Sequence, residues 1–128
     1  MNFKVSEKSQ PYSNAIKDKS FDFAIRIVKL YKFFRKKEFS IDPILKQLLR
    51  SGTSIGANVH EAQGANTKKD FTYKLQIALK EANESEYWLN LLNKTDYLSN
   101  KMFQSIQNDC KEIIRLLTAI LKSLKTKT

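Results

Sequence analysis

The sequence predicts an all-α protein that folds as an up-down-up-down antiparallel four-helix bundle. Four long segments repeat their apolar residues every three or four positions, which is the period of an α-helix. The connections between these segments are short, and short connections favour antiparallel neighbours. The chain of 128 residues holds only three glycines and two prolines, which leaves little material for the tight turns of an all-β fold.

The bundle is expected over residues 20–126, after a flexible N-terminal arm at residues 1–19. The arm mixes Ser, Lys, Asn and Pro without any periodicity. A first helix is predicted from Phe21 to Phe39, because its apolar residues recur at spacings of four, three and four. These residues are Phe23, Ile27, Leu30 and Phe34. Four cations are expected to project from the opposite side of this helix: Arg26, Lys29, Lys32 and Lys36.

The second segment holds all three glycines, and the pattern predicts a helix here rather than a ligand-binding loop. Asp42 suits the N-cap and Pro43 the first helical position. The apolar stripe that follows keeps its phase through Gly52 and Gly56; its members are Ile44, Leu45, Leu48, Leu49, Ile55 and Val59. A phosphate-binding loop needs a preceding strand and a terminal Gly-Lys-Ser/Thr, and neither is present. We therefore expect Gly52 and Gly56 to face a closely packed neighbouring helix, and Gly64 to cap the end of the segment.

The third helix is predicted from a Thr67 N-cap to about Leu92, with apolar residues on two sides. Its core stripe comprises Phe71, Leu75, Ala78, Leu79, Ala82 and Leu89. A second apolar side is formed by Tyr73, Ile77, Tyr87, Trp88 and Leu91, and the first four of these are the candidate interface residues. Since a helix at the surface of a monomer rarely needs two apolar sides, this helix is either central in the bundle or shared with another subunit. We assign the second side to an oligomer interface.

The fourth helix is predicted from a Ser99 N-cap to about Lys125 and is the most regular of the four. Its apolar face runs through Phe103, Ile106, Cys110, Ile113, Ile114, Leu117, Ile120, Leu121 and Leu124. Four cations line up opposite this face: Lys111, Arg115, Lys122 and Lys125. In an antiparallel bundle the first and fourth helices are neighbours, so we expect the two rows of cations to merge into one basic surface.

The net charge of +10 lies entirely in the first and last quarters of the chain. The excess is six positive charges in residues 1–40 and four in residues 97–128, whereas residues 41–96 are neutral. Such an excess suggests a polyanionic partner, RNA or DNA. Lysines dominate and no base-reading motif is present, so binding is expected to be electrostatic. The alternative is that these cations form ordinary solvated helix faces.

The second helix also carries a stripe of short polar residues. It consists of Arg50, Ser51, Ser54, Asn58 and Glu61. The stripe is either a solvated face or a buried polar seam that is hydrogen-bonded to a neighbouring helix or subunit, and we favour the seam. Glu86 falls among the core positions of the third helix and would need a partner there if buried.

Groups capable of catalysis or metal binding are scarce in the sequence. Cys110, the single cysteine, falls on a core face and is expected to pack as a small apolar residue. His60, the single histidine, is expected at the surface or at an interface, and its neighbour Glu61 points in a different direction, so no metal site or cofactor is expected. With one cysteine, no membrane span and no secretory signal, a cytoplasmic protein is expected.

The central third of the chain resembles a known family. It contains Ser-Ile-x-x-Asn-Val-x-Glu (Ser54 to Glu61), Lys-Asp-Phe (Lys69 to Phe71), Ile-Ala-Leu-Lys-Glu-Ala (Ile77 to Ala82) and Glu-x-Glu-Tyr-Trp-Leu (Glu84 to Leu89). These motifs resemble the small bacterial four-helix-bundle proteins encoded within intervening sequences of 23S ribosomal RNA genes. The chain departs from many relatives at Ala62–Gly64, where they place glycine sooner after the glutamate.

The resemblance implies an assembly and an absence of catalysis. Members of this group are similar to the accessory protein of diversity-generating retroelements, a basic pentameric barrel that binds nucleic acid and a reverse transcriptase. By that similarity the chain is expected to form a ring-like homopentamer, to bind RNA or DNA and to be no enzyme. A protein partner such as a reverse transcriptase would be a further possibility. The alternative functions are an oligomeric scaffold that docks an acidic protein partner, and a small hydrolytic enzyme, which is the weakest of the three.

Overall fold

The computed structural model describes residues 10–37 and 39–126. These residues form four α-helices: α1 (Gln10–Arg35), α2 (Asp42–Gln63), α3 (Lys68–Lys94) and α4 (Asn100–Thr126). A 3-10 helix at Phe39–Ile41 precedes α2, and the described part of the chain contains no strand. None of the described helices is both long enough and apolar enough to cross a membrane. The prediction of an all-α four-helix fold is confirmed.

The helices form a four-membered arrangement in which each packs on two neighbours. α1 and α3 both pack against α2 and α4, so α1 and α3 lie on one diagonal of the bundle. Cross-helix contacts run in opposite residue order: Ser51 meets Ser85, whereas Glu61, ten residues later, meets Lys74. The neighbouring helices are therefore antiparallel, as an up-down-up-down topology requires.

The first helix begins earlier than predicted, at Gln10 rather than near residue 20. Residues 10–19, which the pattern assigned to a flexible arm, are helical, and residues 1–9 lie outside the described residues. Ile16 and Ser20 are each only 1% exposed and continue the buried stripe of α1 backwards at helical spacing. The polar Ser20 interrupts the apolar pattern and hides this continuation. The helix also ends earlier, at Arg35, and Phe39 belongs to the 3-10 helix.

Three of the four predicted caps are observed, and one is displaced. Asp42 is the first residue of α2 and not its N-cap; Ile41 holds that position without a side-chain bond. The Asp42 carboxylate accepts a hydrogen bond from the Tyr31 hydroxyl at 3.2 Å instead, and so ties α1 to α2. The predicted caps at Gly64, Thr67 and Ser99 are found: α2 ends before Gly64, and the two hydroxyls accept bonds from the backbone N–H groups of Asp70 and Met102.

The predicted core stripes meet in one continuous hydrophobic core. The largest fully buried side chains are Phe23, Phe71, Ile16, Ile27, Leu45, Leu48, Ile55, Leu75, Leu89, Leu98, Ile113 and Leu117. Cys110 is completely buried among them, as expected. The predicted stripe members Ile44, Leu49, Leu79, Phe103, Ile114 and Leu121 are partly buried and flank this core. The period of the apolar residues therefore identifies the inner face of every helix.

The two helical glycines lie where α1 approaches α2 most closely. A Cβ atom on Gly52 would stand 2.8 Å from Ile27 Cγ1, and one on Gly56 would stand 3.2 Å from the Ser20 carbonyl oxygen. Both distances are shorter than an ordinary van der Waals contact between these atoms. The prediction that these glycines face a closely packed helix is confirmed, and the close approach compensates for their low helix propensity.

Candidate nucleic-acid interface

The cations of α1 fall into two groups with different environments. Lys29, Lys32 and Lys36 are exposed, and none forms a salt bridge with another described residue. Arg26 differs, because its guanidinium donates to the Asp109 carboxylate at 2.6 Å and to the Ser105 hydroxyl at 3.0 Å. Among the described residues, these three lysines have no carboxylate partner, whereas Arg26 is paired.

The side of α4 that faces α1 is acidic rather than basic. Glu112 pairs with Lys19, and Asp109 pairs with Arg26. The Glu112 carboxylate accepts a hydrogen bond from the Lys19 ammonium and raises the pKa of that lysine. Lys111, Arg115, Lys122 and Lys125 are all exposed on α4. Two ion pairs therefore separate the cations of α1 from those of α4.

α1 and α4 are neighbours, as the predicted merging of the two basic rows requires, but two ion pairs lie between the rows, and the merging itself stays a prediction. Arg26 and Asp109 fix the register of these antiparallel helices. Lys32 lies six residues beyond Arg26, and Lys122 lies thirteen residues beyond Asp109 in the opposite direction. At 1.5 Å per residue these two lysines are displaced by about 28 Å along the bundle, whereas Lys29 and Lys111 are displaced by only about 8 Å. We refer to the two sets as the α1 zone (Lys29, Lys32 and Lys36) and the α4 zone (Lys111, Arg115 and Lys122).

An open groove lies beside the α1 zone, between α1 and the start of α4. It has a volume of about 230 Å³ and is lined by Arg26, Lys29, Leu30, Phe33, Leu98, Met102 and Ile106. The Phe33 ring is 46% exposed, and the Lys37 ammonium lies 4.2 Å from its centroid. Sequence reasoning missed Phe33. The adjacent pair Phe33–Phe34 is the signal, because two successive helical residues cannot both face the core.

The polar stripe of α2 lies along the α2–α3 seam and is only partly buried. Ser51 is buried and accepts a hydrogen bond from Ser85 at 2.9 Å. Arg50 spans to α3 and pairs with both Glu81 and Glu84. Glu61, which is exposed, pairs with Lys74 at 2.8 Å. These contacts tie α2 to α3 within one chain.

The other two members of the stripe bond within their own helix. The Ser54 hydroxyl donates to the Arg50 carbonyl at 2.6 Å, and the Asn58 amide donates to the Ser54 carbonyl at 2.8 Å. Glu86 lies away from this stripe, at the α3–α4 contact, where its carboxylate accepts from the Gln107 amide at 3.5 Å. The polar stripe therefore has no direct part in the α1 or α4 zone.

The outer side of α3 presents the aromatic residues assigned to an oligomer interface. Tyr73 and Tyr87 are 58% and 59% exposed, whereas Ile77 and Trp88 are partly buried. The Trp88 indole packs against the core and donates to the Glu84 carboxylate at 3.0 Å. That hydrogen bond, together with Arg50, lowers the pKa of Glu84. These residues (Tyr73, Ile77, Tyr87 and Trp88) form the α3 apolar patch.

A second apolar patch, which sequence reasoning missed, lies on the outer side of α1. Phe21, Ile25 and Val28 are all exposed and follow one another at spacings of four and three. They form the α1 apolar patch, on the half of α1 that precedes the α1 zone. Since α1 and α3 occupy one diagonal of the bundle, the two patches face away from each other. The signal in the sequence was a second apolar stripe on the first helix, parallel to the core stripe.

The two residues with catalytic potential are not brought together. Cys110 is buried between α3 and α4, and its thiol donates to the Ala82 carbonyl at 3.3 Å. Burial, with smaller contributions from Glu86 and Asp109, raises the pKa of the Cys110 thiol to about 12. His60 is exposed and lines a separate cleft between α1 and α2. A thiol in this environment stays protonated at neutral pH and is a poor nucleophile.

Comparison with known proteins identifies relatives that cover most of the bundle. Residues 13–119 match the model of the family described as 23S rRNA-intervening sequence protein. The chain also matches the crystal structure of a protein with unknown function from the S23 ribosomal protein family of Bacteroides thetaiotaomicron, with 55% sequence identity. That match covers 87% of this chain and 98% of the solved chain, with a TM-score of 0.81. No curated protein matches the chain.

Proposed function

The chain belongs to the family of 23S rRNA-intervening sequence proteins, and on this premise we propose that it is a non-enzymatic homopentamer that binds nucleic acid electrostatically. The observation that carries the proposal is the α1 zone, whose exposed lysines lack salt bridges within the described chain. Positive charges held close together and left unneutralised attract phosphates and release the counterions condensed on them. The α4 zone adds a second set of such charges to each subunit.

Self-association is supported by the placement of the two apolar patches. Contiguous exposed apolar surface on a small domain marks an interaction site. The α1 and α3 patches differ in composition and face opposite directions. Each subunit therefore offers two different apolar surfaces for contact with other subunits. Contact between the α1 patch of one subunit and the α3 patch of the next is head-to-tail, and such contacts close into rings when the rotation per subunit allows it. The number five comes from the family resemblance.

Assembly into a ring would strengthen weak nucleic-acid binding. Each subunit contributes its own α1 and α4 zones, and one polynucleotide would touch several subunits at once. Linked contacts of this kind raise the overall affinity well above that of one zone. The sequence carries no base-reading motif, so the proposed binding depends on phosphates and is independent of base sequence.

A paired charge-reversal experiment tests the nucleic-acid part of the proposal. Lys32→Glu with Lys36→Glu removes two cations of the α1 zone, and Lys46→Glu with Lys94→Glu makes the same change in net charge at exposed positions outside the two zones and the two apolar patches. We expect the first pair to weaken binding to random-sequence RNA and DNA alike. It should also flatten the slope of log affinity against log salt by about 0.9 for each duplex phosphate that is no longer neutralised. The second pair should have a smaller effect. Fluorescence anisotropy at several salt concentrations measures both.

Three outcomes separate the alternatives. An equal weakening of binding in the two paired variants would show that net charge alone acts, and would remove the α1 zone from the proposal. No binding even at low salt would refute nucleic-acid binding and favour a scaffold that docks an acidic protein. A single-chain mass at micromolar concentration by light scattering would refute the ring.

A further inference from the structure

The groove beside Phe33 combines an exposed aromatic ring with exposed lysines that form no salt bridge with a described residue. We propose that it binds an unpaired base of a single-stranded nucleic acid, stacked on the Phe33 ring, while the flanking phosphates contact Lys29 and Lys36. This inference rests on the proposed function and deepens it, since it selects single strands over duplexes. Proteins that bind single strands without sequence preference combine these two features, a positive groove and aromatic side chains on which bases stack.

Exposed cations lie before and after Phe33 along the chain. Lys29 precedes Phe33 by four residues and shares its helix face, and Lys36 lies in the turn that directly follows the end of α1 at Arg35. Both lysines are exposed, and neither pairs with a described carboxylate. A strand that places one base on Phe33 therefore has an exposed lysine before and after that ring along the chain.

The Phe33 ring is held in place by the core beneath it. It meets the largely buried Phe34 edge-to-face, with the ring centroids 5.1 Å apart and the planes at 88°. The apolar floor of the groove comes from Leu30, Leu98 and Ile106. A ring that is already positioned loses little conformational entropy when a base stacks on it.

The Lys37 side chain contacts the exposed face of the Phe33 ring. The Lys37 backbone N–H donates to the Phe34 carbonyl at 3.0 Å, and its ammonium lies 4.2 Å from the Phe33 centroid. A solvent-exposed cation–π contact is weaker than the stacking of a base on an aromatic side chain. An incoming base thus displaces the ammonium, which is then free to approach a phosphate.

The groove favours unpaired bases for a geometric reason. In a duplex every base is stacked on its neighbours and paired, so its ring face is inaccessible to Phe33. Arg26 forms one wall of the groove but is held by Asp109 and Ser105. It therefore shapes the site, and the exposed lysines provide the phosphate contacts.

Two substitutions at one position separate stacking from apolar bulk. Phe33→Leu keeps an apolar side chain but removes the ring, and Phe33→Tyr keeps the ring. The probes are a labelled DNA strand of about 15 nucleotides, the same strand with its central bases replaced by abasic sites, and the corresponding duplex. Circular dichroism and light scattering confirm that each variant keeps its helices and its mass.

We expect Phe33→Leu to lower affinity for the natural single strand by about 5-fold to 100-fold, and Phe33→Tyr to restore it. The duplex and abasic probes should bind the leucine variant and the wild type equally. The salt dependence should also be the same, because the lysines still neutralise the same phosphates.

The possible failures are distinguishable. If no probe binds at low salt, the proposed function itself fails. If the probes bind but the leucine variant binds them as tightly as the wild type, or the abasic strand binds as well as the natural one, the stacking site is refuted and electrostatic binding remains. If a polyglutamate peptide of matched charge competes as well as the natural strand, the groove accepts acidic chains in general and the inference is overturned.

Discussion

Replacing Gly52 by alanine tests the close packing of α1 on α2 at its tightest point. The added methyl group would stand 2.8 Å from Ile27 Cγ1 and 3.0 Å from Ile27 Cγ2. Ile27 is buried, and a β-branched side chain in a helix has essentially one favourable rotamer. The clash therefore cannot be relieved by a simple rotation of Ile27, and one helix must move.

Two opposing effects set the magnitude. Alanine gains about 1 kcal/mol of helix propensity over glycine, whereas overpacking a tight core costs about 1–3 kcal/mol. The expected net change for Gly52→Ala is therefore a loss of roughly 0–2 kcal/mol in the free energy of unfolding. An open site would give the opposite sign, a gain of about 1 kcal/mol.

A double-mutant cycle with Ile27→Ala isolates the clash. Ile27→Ala removes both Cγ atoms and by itself costs about 2–5 kcal/mol. In the Ile27→Ala background the added methyl group has no Cγ atom of residue 27 to clash with. Gly52→Ala should therefore increase the free energy of unfolding there. The difference between the two backgrounds, about 1–3 kcal/mol, measures the overpacking.

Urea denaturation followed by circular dichroism provides the measurement, at one fixed protein concentration because association would add to apparent stability. Ala57→Gly, at an exposed position of α2, calibrates helix propensity in the same helix and should cost about 1 kcal/mol. If Gly52→Ala stabilises the wild type and the Ile27→Ala variant by the same amount, then α1 and α2 do not approach this closely and the packing argument is refuted.

Three further predictions concern the surfaces and the buried thiol. Tyr73→Glu should lower the oligomeric mass measured by light scattering while the helical content survives, because the side chain is exposed; an unchanged mass would remove the α3 apolar patch from the interface. Lys111→Glu with Arg115→Glu should weaken binding to every nucleic-acid sequence alike and flatten its salt dependence in anisotropy titrations, and a weakening confined to one sequence would contradict phosphate-based binding. The folded-state pKa of Cys110, about 12, lies above its unfolded value of about 8.5. The stabilisation from the protonated thiol is thus complete below about pH 8.5 and is lost as the pH rises towards 12. Urea melts between about pH 8 and 11 should show a steeper fall for the wild type than for Cys110→Ala, by at most about 1.4 kcal/mol per pH unit.

The sequence is sufficient to predict the inner face of each helix, but it does not predict where the first helix begins. Phe23, Ile27, Leu30 and Phe34 repeat at helical spacing, and all are buried. Ser20 breaks the apolar pattern although it is buried, because its backbone is the surface against which Gly56 packs. A polar residue is tolerated there because its hydroxyl donates to the Lys17 carbonyl at 3.2 Å. Such a position is recognisable only when the partner helix is known.

The positions of the cations along the chain are readable from the sequence, but their neutralisation is not. Arg26 and Lys29 look alike in the pattern of the first helix. Asp109, 83 residues from Arg26, neutralises Arg26 alone, because the register of α4 against α1 places that carboxylate beside it. Register depends on the combined packing of all four helices and has no local signal. The exposure of Phe33 is also not readable from the sequence, because it depends on which of the adjacent Phe33 and Phe34 packs into the core.

The surface of α1 is divided in a way that allows assembly and nucleic-acid binding on one helix. The α1 apolar patch precedes Lys29, and the α1 zone begins there. The side that faces α4 is closed by Lys19 and Arg26, whose charges are cancelled by Glu112 and Asp109. Lys32 follows Val28 by one helical turn on the same face, so a subunit docked on the apolar patch must end at Val28 if the α1 zone and the Phe33 groove are to bind nucleic acid at the same time. The ion pairs lie between the α1 zone and the α4 zone, so each subunit of the proposed ring would present the two zones on either side of a neutralised strip.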